Sequence, residues 1–329
     1  MESFSGVSLF KFMDRFASDE TCKQYLFDLK FTKDCTCSKC GNKEWYKGIK
    51  AYTKVCKNCR HVESCTSNTL FHKVKFGLRK AFCIVYEVTT TANGMSALQI
   101  SRKYDVNYDT AWLFLKKVRL SMGSSEAYPM TGKVFVDEFV IGGFEKGAVG
   151  RKANSKKIKV VMAVETTNKN RVKRVYNLKI SDYSTKELSK LFDKHISEDA
   201  LVQTDEWRSY RPLQKIYDIT MDKSIKNNSP VNRMIQQLKS WIRGTHHSIS
   251  AHHAETYLNE FSFRINRSQF KEVVFHKCVE RMVKANKSSR LQVSKITLMT
   301  REQFTERINL FEMMNAKYVI NNAKIRLVA

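Results

Sequence analysis

A chain of 329 residues that is 42% hydrophobic holds enough apolar material for more than one packed domain, which excludes a disordered tail or a small disulfide-stapled module. Its 58 Lys plus Arg outnumber 32 Asp plus Glu, and a net charge of +26 points to an extended polyanion, nucleic acid first, because each phosphate contact releases counterions. No apolar run is long enough to span a membrane and no charged-then-apolar leader opens the chain, so an intracellular, DNA-associated protein is expected, in a bacterial nucleoid or a eukaryotic nucleus.

Residues 1–30 form a first helical segment. Of nine cysteines, six lie between Cys35 and Cys65, and the odd total argues against a closed disulfide framework. Cys37-Ser-Lys-Cys40 and Cys56-Lys-Asn-Cys59 are two C-x-x-C pairs separated by fifteen residues, a spacing that lets two tight knuckles present four thiolates to one Zn²⁺. The stretch between them alternates as a short hairpin does, and Gly41 suits the positive-φ position of a knuckle. Residues 31–72 therefore read as a zinc ribbon; four ordinary buried thiols are the alternative. Cys35 competes with Cys37 for the metal, but the x-x spacing favours Cys37.

Residues 73–123 are helical. "FGLRKAFCIVYEVTTTANG" has helical periodicity closed by Gly94 as C-cap. Ser96 to Tyr104 is a second helix, Asp105-Val106-Asn107 a turn, and Tyr108 to about Met122 a third, with Leu98, Tyr104, Val106, Ala111, Leu115 and Val118 closing a small core. This is a helix-turn-helix pattern, Asn107 or Asp109 capping a helix whose Lys116, Lys117 and Arg119 would face DNA. An ordinary helical hairpin is the plainer reading.

Gly, Ser and Pro mark residues 124–132 as a linker. Beyond it, Val134 to Ile141, Lys157 to Glu165 and Arg171 to Ile180 read as three strands, Thr185 to Ile196 as a helix, and Ala200 to Thr204 as a short strand ending at Asp205. That order over residues 133–268 is the order of a ribonuclease-H-like α/β core, so the whole chain reads as a multidomain α+β protein. Within "VFVDEFVIGG", Asp137 and Glu138 face opposite ways, because side chains alternate along a strand. Asp137 is the candidate for a site shared with Asp205: buried carboxylates repel unless a cation neutralises them, which points to Mg²⁺ (or Mn²⁺). Glu138 is expected to meet a basic residue on the other face. Ser229-Pro230 opens another helix, Ser as N-cap and Pro at N1, and one edge of it carries Asn232, Gln236, Lys239 and Arg243, a metal-capable carbonyl followed by phosphate-binding cations.

Taken together, the cysteine knuckles, "GMSALQISRKYDVNYDTAWLFLKKVR", "VFVDEFVIGG" followed by Gly150-Arg151, "TDEWRSYRPL" and "LKSWIRGTHHSISAHHAETYLNEFSFRINR" resemble the zinc-ribbon insertion-sequence transposases of the DDE superfamily, the ISXO-like group related to eukaryotic Merlin elements. The resemblance runs from Cys37 to Arg267. It implies metal-binding acids at Asp137 and Asp205, and a third position, filled by Glu, His or Asn in different branches, at Asn232. It also implies two-metal phosphoryl transfer that cuts an element end and joins the freed 3′-OH to target DNA.

The implied partners are terminal inverted repeats and target DNA, both double-stranded, met by a homodimer or larger assembly. Glu206 departs from the glycine usual after the second acid. Glu255, Glu260 and Asp182 are rivals for the third ligand. His246 and His247 read as phosphate contacts rather than a base, and Arg151, Lys152, Lys156, Lys157 and Lys159 as a DNA-backbone surface. Residues 269–329 form a helical extension, including "LMTREQFTERINLFEMMNAKYVI", where self-association or simple packing is open. Two further function classes stand beside the transposase: a DNA-binding regulator descended from one, and a nuclease without strand transfer.

Overall fold

The computed structural model describes residues 4–6, 8–142, 157–226 and 229–285. Arg151, Lys152, Lys156 and the helix expected within 298–320 lie outside the described residues.

Two short helices, α1 (Leu9–Arg15) and α2 (Asp19–Lys30), open the chain. Ser18 and Thr21 form a capping box on α2, satisfying donors that a helix start leaves open. A three-stranded antiparallel sheet follows, β1 (Trp45–Lys47), β2 (Thr53–Cys56) and β3 (Val62–Ser64). Three helices come next: α3 (Leu78–Thr90), α4 (Ala97–Tyr104) and α5 (Tyr108–Ser121). Ser96 caps α4 with Gln99 as its reciprocal partner, and Asn107 Oδ1 accepts from Asp109 N–H at 2.9 Å to cap α5. The α4–α5 bounds match the sequence expectation, with two corrections. Leu98 is exposed, and Ala97 and Ile100 supply the buried face of α4 instead. The first of the three helices stops at Thr90, four residues before the glycine expected to cap it.

These helices do not form separate units. Phe4, Phe12, Phe16, Tyr25, Phe82 and Phe275 interlock at centroid separations of 5.0–6.0 Å in one core that also takes the buried faces of α3 and α5. Phe275 belongs to α9 (Lys271–Val283), and Val274, Cys278, Val279 and Met282 sink beside it. The segment after residue 268 is thus helical where described, but α9 is the closing helix of the N-terminal core rather than an appendage of the domain before it. Nothing in α9's own sequence names its partner, since an apolar stripe states burial and not its address.

The second unit is a five-stranded sheet of β4 (Lys133–Ile141), β5 (Ile158–Thr166), β6 (Val172–Ile180), β7 (Leu201–Thr204) and β8 (Asp218–Met221), in the order β6-β5-β4-β7-β8. β4, β5 and β6 form an antiparallel meander; β7 lies parallel to β4, and β8 parallel to β7. β4 and β5 are buried on both faces, which accounts for their continuous apolar runs. One face packs on α6 (Thr185–His195) and a 3-10 helix (Arg208–Lys215); the other packs on α7 (Pro230–Trp241) and α8 (Ala254–Asn266). β8 was not foreseen, being four residues with a single buried side chain. The outer edge of β6 is closed by the Asn266 amide, which accepts from Val175 N–H at 2.7 Å and donates to Val175 O at 3.0 Å, blunting an edge that would otherwise template further pairing.

The two units meet along α8. Arg119 Nε on α5 donates to Glu260 Oε2 on α8 at 2.7 Å, and the guanidinium lies 4.1 Å over the Tyr257 ring, with Arg119 and Glu260 2% and 0% exposed. Gly94, at φ +66°, leaves room for this pair: a Cβ there would stand 2.7 Å from Glu260 Oε1. Arg264 donates to the carbonyls of Val88, Thr91 and Ala92, and Trp241 Nε1 donates to Asn93 O at 2.9 Å, so the end of α3 is held by side chains of α7 and α8.

Because a buried ion left alone is far costlier than a buried pair, Glu260→Ala is expected to lower unfolding free energy by about 3 to 5 kcal/mol, with Arg119→Met plus Glu260→Leu restoring most of it, both read from urea denaturation. A second expectation concerns acid. Burial holds the His195 ring, stacked on Tyr176 at 4.1 Å, at a pKa of about 4 instead of the ordinary 6.5. A base with a depressed folded pKa stabilises fully above 6.5, and that contribution is lost as pH falls toward 4. His195→Phe keeps the stack and should flatten the fall in unfolding free energy across that window, read from urea denaturation, by up to about 1.4 kcal/mol per pH unit.

Candidate catalytic site and metal centre

The Sγ atoms of Cys37, Cys40, Cys56 and Cys59 all lie within 4.8 Å of one another, a cluster that can hold a metal ion. Cys37 and Cys59 approach to 3.6 Å, Cys40 and Cys56 to 3.5 Å. The knuckles fold as their spacing predicts: Gly41 takes φ +75° and its N–H donates to Cys37 O at 2.8 Å. Backbone N–H groups of Cys59 and then Asn58 bring the Cys56 thiol down, against burial, whereas at Cys59 the His61 N–H is outweighed by burial and the neighbouring Cys40, Cys37 and Cys56 sulfurs, which push the thiol up, so without a metal the thiolate charge gathers on Cys56. Cys35 stays out of the cluster; its carbonyl accepts from Trp45 Nε1 at 3.1 Å. Glu63 fastens the ribbon to the helices, with Lys30 Nζ at 2.9 Å and Ser38 N–H at 2.9 Å, both partners drawing its carboxyl down to about 2 against desolvation. Among the described residues this is the one cluster of three or more Cys, His, Asp or Glu with metal-ligand spacing.

The second candidate site follows from strand register. β4 and β7 pair through Val136↔Thr204, so Asp137 and Asp205 come next on their respective chains, level with each other beyond the last pair. Val134 and Val136 pack with α6, whereas Phe135 and Phe139 pack with α7. Alternation therefore turns Asp137 toward α7, and Asp205, in step with it, has the same parity. Both are buried, at 7% and 2% exposure. Asp205 Oδ1 accepts from Trp207 N–H at 3.0 Å and Asp137 Oδ1 from Glu138 N–H at 2.9 Å. Glu138 goes to the opposite face, where sequence reasoning expected a basic residue; there the Tyr210 hydroxyl donates to its Oε2 at 2.7 Å. Burial first, then Glu138, Asp137 and Asp205, hold that phenol proton far above the usual range, so all three carboxylates act on one buried hydroxyl. Tyr210 lies within the TDEWRSYRPL stretch that carries the resemblance, but the segment before β8 has no period that assigns it a contact.

Ser229 caps α7 as foreseen, its Oγ accepting from Asn232 N–H at 3.2 Å, which fixes Asn232 in the first turn of the helix over the Asp137 face. Lys239, two turns on, stands 5.5 Å over the Phe139 ring; burial lowers its pKa, and the Asp137 carboxylate opposes that. Glu206 turns outward to Lys223 at 3.3 Å. Of the rival ligands, Glu260 is committed to Arg119, Glu255 is exposed on the first turn of α8, and exposed Asp182 accepts from Ser184 N–H at 2.8 Å.

Several cations expected on a DNA face are elsewhere. Lys116 is buried with Nζ 2.5 Å from His253 Nδ1, and desolvation brings it down to about 8. Arg119 forms the ion pair with Glu260, and Lys117 donates to His72 O at 3.0 Å. The reason is that α5 has neighbours on most sides, α4, α8 and α9, so a run of Lys and Arg on it becomes interior polar contacts rather than a solvated stripe. His246 is half-buried between Trp241 and Tyr257, where desolvation takes its pKa to about 4, and its buried Nε2 has no hydrogen-bond partner among the described residues, so it does not lie on the surface as a phosphate contact would. Arg243 and His247 are exposed as expected, His247 in a tight turn at φ +59° closed by Ser248 N–H to His246 O at 2.6 Å. Lys159 Nζ donates to Ser181 O at 3.0 Å.

Residues 129–266 match the ISXO2-like transposase domain. That ISXO2-like transposase domain runs from the approach to β4 through α8, and so takes in the whole five-stranded sheet, both carboxylates and α7. The cysteine cluster, α3 to α5 and α9 lie outside it. No curated protein matches the chain. A transposase-family domain marks a DNA-processing protein, and among the described residues no helix is long and apolar enough to cross a membrane.

The Tyr210 hydroxyl is a buried donor to a buried carboxylate. Tyr210→Phe is expected to cost about 1 to 3 kcal/mol in thermal or urea unfolding, with Glu138→Gln added to it recovering part of the loss.

Proposed function

We propose that the chain is a DNA transposase that binds element ends, cuts them and joins the 3′-OH ends to target DNA in one metal-dependent site. The observation that carries this reading is the β4–β7 register, which sets Asp137 and Asp205 level on the face covered by α7, inside the transposase domain. The strand order, an antiparallel meander followed by two parallel strands, supports a ribonuclease-H-like core. Charge +26 supports a polyanionic substrate.

The donor set fits a hard divalent cation: two buried carboxylates, with the amide oxygen of Asn232 assigned as third ligand from the first turn of α7. Mg²⁺ or Mn²⁺ held there would supply Lewis acidity at the scissile phosphate and an activated attacking water. The chain's own residues do the rest. Asp137 and Asp205 carry the ligand charge, since Asn232 is neutral. Ser229 fixes the turn that presents Asn232, and the Tyr210–Glu138 bond holds β4 from behind so that Asp137 keeps its direction. Lys239, beside Asp137, and exposed Arg243 are assigned to the DNA backbone. The Cys37, Cys40, Cys56 and Cys59 cluster is assigned to structural Zn²⁺, and α4 with α5 to a helix-turn-helix whose exposed N-terminal turn, Tyr108 to Thr110, faces the duplex in place of the interior cations. Two ends require two sites, hence a dimer or larger assembly on DNA.

Asp137→Asn and Asp205→Asn are each expected to reduce Mg²⁺-dependent cleavage of a duplex bearing the element's own ends by on the order of 10³-fold, with DNA affinity unchanged. Full cleavage in either variant would sink the assignment. Cleavage by the wild type without joined product would leave a nuclease.

A further inference from the structure

We propose that the tip of the β1–β2 hairpin is a DNA-bending wedge, in which Ile49 enters the minor groove between base steps while Lys47 and Lys50 engage phosphates on either side. The proposal rests on the DNA-processing reading and adds to it a contact that lies outside the transposase domain.

Three observations meet at this tip. Ile49 is 106% exposed, the most exposed of the large hydrophobic residues described, and it stands between two exposed lysines. Lone exposed apolar side chains are common, so exposure by itself decides little. The turn that carries Ile49, however, is stiff. Gly48 N–H donates to Thr53 O at 3.0 Å, Thr53 Oγ1 donates to Lys50 O at 2.6 Å, and a Cβ on Gly48 would fall 2.0 Å from Thr53 Oγ1, so the two arms close against each other and hold the tip out. The base of the hairpin is anchored as well: Trp45 packs on Phe31 at 5.5 Å, and Lys54 lies over the Phe27 and Phe31 rings of α2 and its C-cap.

The charge names the occupant. Residues 43–62 hold five lysines and an arginine against one glutamate, and that glutamate, Glu44, is already paired with Lys57 at 3.6 Å. A second copy of the chain would bring a like-charged tip to this one. A duplex brings phosphates, and its minor groove admits a branched apolar side chain that partly unstacks a step and bends the helix, with flanking cations compensating the compressed backbone. A rigid projection with one apolar residue between two cations suits that contact better than a flat sheet face does.

The test uses the full-length, zinc-loaded chain and a duplex rich in TA steps, with aminopurine replacing adenine at those steps and a donor–acceptor pair on the ends. Wild type should raise aminopurine fluorescence and shorten the end-to-end distance. Ile49→Ala should abolish both while leaving the salt dependence of binding as it was. Lys47→Ala with Lys50→Ala should make the slope of log affinity against log salt shallower by about 2, one for each phosphate no longer neutralised. Zinc content and circular dichroism of the variants should match wild type, since the residue contributes no core. A bend that persists in Ile49→Ala, or a DNA-free dimer that this substitution dissociates, would overturn the wedge. If wild type binds and cuts DNA without an Ile49-dependent bend, the wedge alone falls; if it binds no DNA, the transposase reading falls with it.

Discussion

Parallel pairing of β4 with β7 is the constraint on which the five-stranded unit depends. Neighbouring parallel strands cannot be joined by a tight turn, so the chain must first complete the β5–β6 meander and cross over through α6 before β7 can return beside β4. Only then do Asp137 and Asp205 stand level, and only the alternation along β4 decides that Asp137 goes to the α7 face while Glu138 goes to Tyr210. A one-residue slip would exchange them, placing Glu138 under α7 and Asp137 among the apolar side chains of the α6 layer. The apolar residues on both faces of β4 guard against that slip, because it would displace every one of them at once.

A second constraint joins the halves of the molecule. α8 packs one face on β6 and another on α5, and the Arg119–Glu260 pair lies between them in a space that Gly94 leaves open. α9 then leaves the sheet unit and closes the aromatic core built by α1, α2 and α3. The polypeptide therefore starts and, within the described residues, ends in the same hydrophobic core, with the sheet unit inserted between. Movement of α5 relative to the sheet would have to break a desolvated ion pair and pull Arg264 from three carbonyls, so the α4–α5 helices and the carboxylate site are mechanically continuous.

What could be read from the amino acids alone was what is written locally. Caps at Asn107 and Ser229-Pro230, the first three strands of the sheet to within a residue or two, and the four-cysteine cluster each follow from a short-range rule of hydrogen bonding, alternation or spacing. β8 was missed because four residues at a sheet edge carry no period, and its predecessor is a 3-10 helix that accommodates Pro212. Lys116 and Arg119 were misplaced for a different reason. Whether a cation on an amphipathic helix faces water is set by how many neighbours the helix acquires, and those neighbours, α8 and α9, arrive from more than a hundred residues away. The candidate site was half legible: Asp137 and Asp205 pair once the strand order is given, whereas Tyr210, though inside a quoted motif, shows its bond to Glu138 on the far face only in the folded chain.

The burial of those cations also changes how the net charge of +26 should be understood. Charge locked into ion pairs and backbone carbonyls adds nothing to a field that steers a polyanion, since a paired, desolvated cation has already been neutralised where it lies. Arg119, Arg264, Arg174 and Lys30 are spent in this way. The effective footprint must then come from cations that remain in water, and the ribbon is dense in them: of its three acids, Asp34 is exposed, Glu44 is paired with Lys57, and Glu63 is buried under Lys30. In this protein the basic surface and the helix that sequence patterning nominated for DNA recognition are different places. The helix provides the rigid joint to the sheet, and the ribbon carries much of the exposed charge.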